Sequence, residues 1–397
     1  MNAIHWSEKD SLWNLFPLII SISFAMDVFV PAIPIMSHFF KTDDSVMQAS
    51  LYLFMLTVAL GQLCVGPLAD YFGRRRISIA AALLFFLGSI LAAMSQSIAT
   101  LLFARIIQAT GACGTYLLCF VIIRDNFSTQ VCARLFSILC GINAMVASTA
   151  PVIGGILLDL TGDWHSGFYF LTLLGIIMSF VAYRNIPDYS YSHQQSNANI
   201  IQSIKLISAN RDFRQYTLVA SVSLLGLYLF CALSPGILIN QLHLSATEYG
   251  FWFGLNALTV FLTNILSARL THSYPLAKIV HLGLFWMIGA CILMISVNVH
   301  HLTLLRFMIP MLCLTIGIGL SMGNATALAL DDFKQQTGTA TAILAACQFG
   351  LAGFIGIATA QWHPAPFILA APILSLSIFI LILFRRNNLK ALLHTST

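Results

Sequence analysis

The sequence predicts an all-α integral membrane protein with twelve transmembrane helices in two pseudo-symmetric bundles of six. Of its 397 residues, 58% are hydrophobic and 8% are charged, whereas soluble domains carry roughly a quarter charged residues. The mean hydropathy is +0.87, and twelve stretches approach the roughly 20 apolar residues that a helix needs to cross a bilayer. These predicted spans cover about 12–38, 46–70, 77–96, 99–123, 134–158, 165–187, 214–239, 247–270, 277–298, 302–330, 338–360 and 364–385.

Basic residues in the loops predict how the spans are oriented. One set of loops holds nearly all of the loop lysines and arginines, whereas the opposite set holds only Lys41. Because cytoplasmic loops are enriched in these residues, both termini are predicted to be cytoplasmic. The net charge of +5 follows from this topology, so we do not expect nucleic-acid binding. No cleaved signal peptide is predicted, since the first apolar stretch is long enough to span the membrane.

Span 1 contains "SFAMDVFVPAIP" (23–34), where Asp27 is the one acidic residue well inside a predicted span. A carboxylate at mid-membrane costs about 3 kcal/mol or more unless it is protonated, paired or hydrated. Pro31 and Pro34 lack the N–H groups that would bond the carbonyls of Asp27 and Val30. A bent, polar point is therefore predicted here, and it is tolerated only against a cavity or a partner. A structural, protonated aspartate is the alternative.

The loop after span 2 reads "GPLADYFGRRR" (66–76). Gly66, Asp70, Gly73, Arg74 and Arg75 match the G-x-L-a-D-x-x-G-R-R signature, so this stretch resembles the major facilitator superfamily. Glycine permits the tight turn. The resemblance implies a gating loop that latches the two halves on the cytoplasmic side, with Asp70 facing the positive helix dipole at the amino end of span 11. A basic hairpin without a gating role is the alternative.

Span 4 contains "ARIIQATGACG", which is similar to the family pattern R-x-x-Q-G-x-G-a except at Ala109. Positions 105, 108, 112, 115 and 119 share one helical face and are small or polar. Such a face is expected to line a wet cavity rather than lipid. The alternative is that Arg105, which lies early in the span, extends to the outer membrane interface.

Span 5 contains "GINAMVASTAPVIGG" (141–155). It resembles the antiporter signature of the superfamily, which ends G-P-x-x-G-G, with Ala150 in place of the first of these glycines. Small residues let another helix approach closely, and proline removes a backbone bond and bends the helix. Pro151, Gly154 and Gly155 are therefore predicted to serve conformational change.

The polar stretch 188–212 divides the chain into an N-terminal six-helix bundle (1–187), a cytoplasmic linker and a C-terminal six-helix bundle (213–397). The isoleucines of its second part have near-helical spacing, which predicts either an amphipathic surface helix or an ordinary linker. "LLFAR", which ends at Arg105, is echoed by "LTLLR", which ends at Arg306. Repeated halves are typical of secondary transporters, whose substrate site lies between the repeats near mid-membrane.

Two later stretches narrow the resemblance. "GNATALAL" (323–330) and "GTATAILAACQFGLAG" (338–353), together with "DVFVPAIP", are similar to the Bcr/CflA branch of drug–proton antiporters. Gly323 stands where that branch has proline, which leaves the shape of span 10 open. The resemblance covers essentially the whole chain, and it implies a single-chain protein of the bacterial inner membrane that exchanges amphipathic compounds for protons.

The residues and the resemblance together predict the working parts. Burial raises the pKa of a carboxyl and a nearby cation lowers it, so alternating access would let Asp27 load and release a proton, with Arg105 as its electrostatic regulator. A promiscuous cavity is apolar with few polar anchors. The candidate substrate-cavity residues are Tyr52, Gln108, Tyr116, Asn143, Tyr228, Asn256, Asn324 and Gln348.

These features predict a proton-coupled exporter of drug-like or amphipathic small molecules that works as a monomer in the lipid bilayer. A dedicated exporter of an endogenous metabolite such as a siderophore, or a proton-coupled importer, is the alternative. A membrane enzyme is disfavoured because the sequence contains no H-E-x-x-H and its histidines are scattered near the ends of the predicted spans, and a channel because no repeated filter residues occur. We expect no metal and no cofactor, with the proton gradient as energy source.

Overall fold

The fold is a set of long helices, described by a computed structural model over residues 7–127, 129–186, 200–297, 301–333 and 337–394. Within these ranges every regular element is helical. Twelve helical segments of this part of the chain are long and apolar enough to cross a membrane. The predicted fold class is thereby confirmed.

Span 1 consists of helices Glu8–Ile19, Ser21–Asp27 and Ile33–Phe39, with a 3₁₀ turn at Val30–Ala32. Among the described residues, each of the remaining spans is a continuous α-helix, and the helix continues as a π-helix at the end of span 7 and as a 3₁₀ turn, Asp331–Phe333, at the end of span 10. Spans 2 to 6 are Asp44–Phe72, Arg74–Ala93, Ile98–Asn126, Thr129–Thr161 and His165–Asn185. The linker helix is Ile200–Ala209, and spans 7 to 12 are Arg211–Pro235 with Gly236–Gln241, Ala246–Leu270, Leu276–Val297, Leu304–Leu330, Thr337–Ala360 and Pro366–His394.

The interruption of span 1 lies where its prolines predict it. The second helix of the span ends at Asp27, and the third begins at Ile33. The N–H of Ile33 donates to the carbonyl of Val30, so that carbonyl does have a partner, against the sequence-based expectation. The reason is that a 3₁₀ turn bonds three residues ahead rather than four, which bypasses the missing N–H of Pro34.

Two compact units make up the chain. The first contains spans 1 to 6 together with Leu244–Gly254 at the start of span 8, and the second contains the linker helix, span 7 and the rest of spans 8 to 12. The linker helix packs on the second unit, where Ile207 lies in a buried cluster with Phe213, Phe333 and Ala340. The predicted boundary at 187 stays a prediction, because residues 187–199 lie outside the described part of the chain.

Matching contacts reveal the internal repeat within the two units. In the first unit, the Ser21 and Thr115 hydroxyls share a hydrogen bond of 2.9 Å; in the second, the Ser223 and Ser321 hydroxyls share one of 3.0 Å. Each pair joins the first and fourth spans of its unit. These two bonds fix which residues of the two units correspond.

Close glycine packing confirms the same correspondence. A β-carbon at Gly111 in span 4 would overlap the backbone of Phe85 in span 3. A β-carbon at Gly317 in span 10 would overlap Met287 in span 9 in the same way. Gly317 follows Gly111 by the same interval as Ser321 follows Thr115, so helices of the two units share one register.

This register does not pair Arg105 with Arg306, although each is the last residue of a similar pentapeptide. Span 4 starts after the capping residue Ser97, and span 10 starts after the capping residue Thr303. Arg306 lies in the first turn of its helix and is exposed, whereas Arg105 lies two turns in and is buried. The residue that corresponds to Arg105 is Met311.

Candidate functional site

The break in span 1 brings its backbone to Arg105 of span 4. Helix Ser21–Asp27 ends at the break, and the last carbonyls of any helix lack partners within it. Nη1 of Arg105 donates to one of these, the carbonyl of Ala25, at 2.7 Å. Arg105 is fully buried and Asp27 is 2% exposed. The alternative in which Arg105 reaches the membrane surface is therefore wrong.

Aromatic rings enclose the Arg105 guanidinium. Its central carbon lies 4.5 Å from the ring centre of Phe29 and 4.4 Å from that of Phe54, a geometry in which the ring faces attract a cation. The Asp27 carboxylate acts on the same guanidinium through Coulombic attraction. Nε and Nη2 of Arg105 make no hydrogen bond within the described residues. The site is thus a buried cation and a buried acid beside a helix break.

Gln108 lies one turn after Arg105 and is also fully buried. Its Oε1 accepts from Nη1 of Arg105 at 2.5 Å, and its Nε2 donates to Oγ of Ser89 in span 3 at 2.8 Å. Both ends of the amide are therefore used inside the first unit. This places Gln108 beside the charged pair, and its predicted role in the substrate cavity stays a prediction.

Gly154 of span 5 contacts the same break, and its neighbour Gly155 contacts the start of span 8. A β-carbon at Gly154 would overlap the carbonyl of Val28, the residue after Asp27, and one at Gly155 would lie 2.9 Å from the carbonyl oxygen of Ala246. Backbone approach this close is possible only without a side chain. Span 5, which contains Pro151, therefore packs directly on the segment that holds the carboxylate.

The turn between spans 2 and 3 has the predicted geometry. Gly73 has a φ of 91°, a conformation that favours glycine. Arg74 pairs with Asp125 at the end of span 4 (Nε–Oδ2 3.0 Å), and Nη2 of Arg75 donates to the carbonyl of Tyr183 in span 6 at 2.7 Å. These contacts tie spans 3, 4 and 6 together at one end of the first unit.

The roles predicted for Gly66 and Asp70 are not supported by a contact among the described residues. A β-carbon at Gly66 would meet open space. The side chain of Asp70 and residues 334–336 lie outside the described part of the chain. The predicted contact of Asp70 with the amino end of span 11 therefore stays a prediction.

In the second unit, two candidate cavity residues join span 8 to span 10. Asn256 Oδ1 accepts from the Thr315 hydroxyl at 2.6 Å. Nδ2 of Asn324 donates to the Ser267 hydroxyl and to the carbonyl of Leu320, both at 2.8 Å. These bonds give both asparagines a structural role between helices, and substrate contact stays a prediction for each.

The remaining candidates divide between the units. In the first, Tyr52 is fully buried, Tyr116 packs on Phe120, and Asn143 accepts from the Ser23 hydroxyl at 2.9 Å. In the second, the Tyr228 ring lies 6.2 Å from that of Phe349, and Gln348 donates to the carbonyl of Ala220. Besides its contacts with span 4, span 1 therefore has a polar contact with span 5, between Ser23 and Asn143, one turn before Asp27.

Sequence reasoning missed Phe29, Phe54 and Ser89. Phenylalanine is too common in this chain for a single ring to stand out, and Ser89 acquires its role only through the packing of span 3 on span 4. The spacing of Phe29 two residues after Asp27 was the one available signal. Among the described residues, no group of three His, Cys, Asp or Glu side chains is placed to hold a metal.

Comparison with known proteins identifies the family. The family model described as Major Facilitator Superfamily matches residues 15–357. A chloramphenicol resistance protein of Pseudomonas aeruginosa is 27% identical over 86% of this chain and 81% of its own. The chloramphenicol resistance protein CraA of Acinetobacter baumannii is 25% identical over 94% and 92%, and the multidrug resistance protein MdtL of Vibrio parahaemolyticus is 25% identical over 92% and 94%.

Solved structures confirm the fold. A D-xylose–proton symporter superposes with a TM-score of 0.74 at 15% identity, covering 94% of this chain and 97% of that one. A bacterial homologue of the human lysosomal transporter Spinster superposes with a TM-score of 0.71 at 16% identity, covering 96% of each. The chain therefore belongs to the Major Facilitator Superfamily, and it is a multi-pass membrane transporter rather than an enzyme.

Proposed function

We propose that this chain exports drug-like or amphipathic small molecules in exchange for protons, with Asp27 as the proton-coupling carboxylate. The observation that carries the proposal is the burial of Asp27 and Arg105 together at the break of span 1. Names of relatives that refer to chloramphenicol and multidrug resistance support the direction and the substrate class. We also propose that the protein works as a monomer in the bacterial inner membrane, with both termini in the cytoplasm.

Electrostatics explains how the pair would couple the two fluxes. A buried carboxylate is stable when its cation is close, and it takes a proton when the cation moves away or water leaves. Arg105 is part of the continuous helix of span 4. Asp27 belongs to the interrupted part of span 1, against which Gly154 of span 5 packs. Movement of these helices during alternating access would therefore change the charge state of Asp27.

The proton-coupling role is tested with everted membrane vesicles acidified by respiration and loaded with a pH-sensitive dye. Chloramphenicol, and then a panel of cationic and neutral amphipathic drugs, is added to start exchange. Wild-type protein is expected to release protons from the vesicles on addition of a substrate. Asp27→Asn, which keeps the shape of the side chain but cannot ionise, is expected to reduce this release to background at equal membrane levels.

Asp43→Asn is the matched control, since Asp43 is exposed before span 2, and it should exchange like the wild type. Full proton-coupled exchange by Asp27→Asn would show that the assignment is wrong. If the protein exchanges none of the drugs in the panel, and an endogenous compound accumulates in a deletion strain, the dedicated metabolite exporter is favoured instead.

A further inference from the structure

We infer that Ser89 in span 3 is a positioning residue for proton coupling: it fixes the orientation of Gln108, which in turn holds Arg105 opposite Asp27. This inference rests on the proposed function. Ser89 touches neither charged group of the site. Its effect would pass through a directional chain of hydrogen bonds.

The first step concerns the Ser89 hydroxyl. It is fully buried, and it donates its single proton to the carbonyl of Phe85, one turn earlier, at 2.7 Å. A hydroxyl has one proton and two acceptor lone pairs. Towards Gln108, Ser89 therefore acts as an acceptor.

The second step is the orientation of the Gln108 amide. Because Ser89 accepts, Gln108 presents its NH₂ group to Ser89, at 2.8 Å. Its oxygen is thereby directed to Arg105, which has only donors, and it accepts from Nη1 at 2.5 Å. The donor-only Arg105 at one end of the Gln108 amide and the acceptor Ser89 at the other therefore both favour the same orientation of the amide.

Close backbone packing of spans 3 and 4 holds Ser89 next to Gln108. A β-carbon at Gly88 would overlap the backbone of Gln108, so spans 3 and 4 are in direct contact beside Ser89. A glutamine reversed end for end would direct two N–H donors at a guanidinium that has no acceptor. Without the Ser89 acceptor, the NH₂ group of Gln108 loses its buried partner, and the amide is held in place by Arg105 at its oxygen end alone.

The second unit shows that the helices pack without this polar chain. In the shared register, Asp27, Arg105, Gln108 and Ser89 correspond to residues that are all apolar or thiol and all fully buried: Leu229, Met311, Leu314 and Cys291. The same contact between the first and fourth spans is present in both units. The polar set in the first unit is therefore not a requirement of the packing, which favours a functional role.

The test measures proton release from vesicles as a function of pH for Ser89→Ala, Ser89→Cys, Gln108→Leu and the double variant Ser89→Ala/Gln108→Leu. Ser89→Ala removes the acceptor, and Ser89→Cys weakens it with a residue that the second unit accommodates at the corresponding place. With Arg105 held less firmly, Asp27 should keep its proton to higher pH. We expect the midpoint of the pH profile to rise by about one unit, a tenfold change in proton affinity.

Non-additivity distinguishes positioning from a general packing effect. If Ser89 acts through Gln108, Ser89→Ala should cause no further shift once Gln108 is leucine. Ser78→Ala is the control, because Ser78 is buried in the same span and its hydroxyl has no hydrogen-bond partner among the described residues. Its profile should coincide with that of the wild type.

Unchanged profiles for Ser89→Ala and Ser89→Cys, or additive shifts in the double variant, would overturn the inference. Failure of the proposed function has a different signature, since it would leave Asp27→Asn with full exchange. If Asp27→Asn abolishes exchange while Ser89→Ala behaves like Ser78→Ala, only the positioning inference is lost.

Discussion

At the scale of single residues, the chain retains a costly arrangement that its own repeat shows to be avoidable. Two buried opposite charges are stable only when their mutual attraction and their hydrogen bonds offset the loss of water. Arg105 has two hydrogen bonds and two ring faces in addition to Asp27. In the second unit, Leu229 and Met311 fill the corresponding places with no charge to stabilise.

This comparison makes a prediction about stability. The triple variant Asp27→Leu/Arg105→Met/Gln108→Leu copies the second unit and should unfold at or above the wild-type temperature, because apolar replacement of a buried charged set is often neutral or stabilising by about 1–4 kcal/mol. Arg105→Met alone should be destabilised by about 3 kcal/mol, since it leaves Asp27 buried without its cation. Thermal unfolding of the purified proteins in detergent measures both.

The triple variant should also fail to exchange protons for drug, although it is well folded. Equal destabilisation of the triple and the single variant would contradict the view that the charges are dispensable for folding. Proton-coupled exchange by the triple variant would contradict the proposed role of the pair.

At the scale of elements, the spans and the break were predictable, and the network around Arg105 was not. Hydropathy alone locates the helices because lipid requires long apolar stretches, and two prolines locate the interruption after Asp27 because they remove backbone donors. The sequence was compatible with Arg105 facing a cavity inside the protein or extending to the outer membrane interface. The choice depends on how span 3, with Ser89, packs on span 4, which no local pattern specifies.

Span 5 provides the prediction at this scale. Gly154→Ala places a methyl group into the carbonyl of Val28, which is backbone and cannot rotate away. We expect this variant to lose exchange and about 1–3 kcal/mol of stability through overpacking. Vesicle assays and thermal unfolding measure the two effects.

Gly141→Ala is the matched control in the same helix, because a β-carbon there would meet nothing within 4 Å. It should exchange normally and be no less stable than the wild type, since alanine is the better helix former. Wild-type behaviour of Gly154→Ala would mean that the close approach of spans 1 and 5 is not needed for transport.

At the scale of the whole molecule, the two units share a helical register but differ in where they place polar groups. In the first unit, a buried acid and a buried cation, Asp27 and Arg105, lie between spans 1 and 4. The second has neutral hydrogen bonds between spans 8 and 10, from Asn256 to Thr315 and from Asn324 to Ser267. Under the proposed function, charge movement belongs to the first unit, and the contacts between spans 8 and 10 described above are uncharged.

The linker helix provides the prediction at this scale, because the sequence left open whether it lies on the membrane or serves as an ordinary connection. Ile207 is fully buried in the cluster with Phe213 and Ala340, whereas its neighbour Leu206 is 61% exposed. A helix docked on the second unit depends on Ile207, and a helix lying on lipid depends on whichever apolar residue faces outward. Ile207→Ala should therefore lower stability by about 2–4 kcal/mol through the cavity it leaves, while Leu206→Ala should have little effect. Thermal unfolding in detergent compares the two variants, and greater destabilisation by Leu206→Ala would contradict docking.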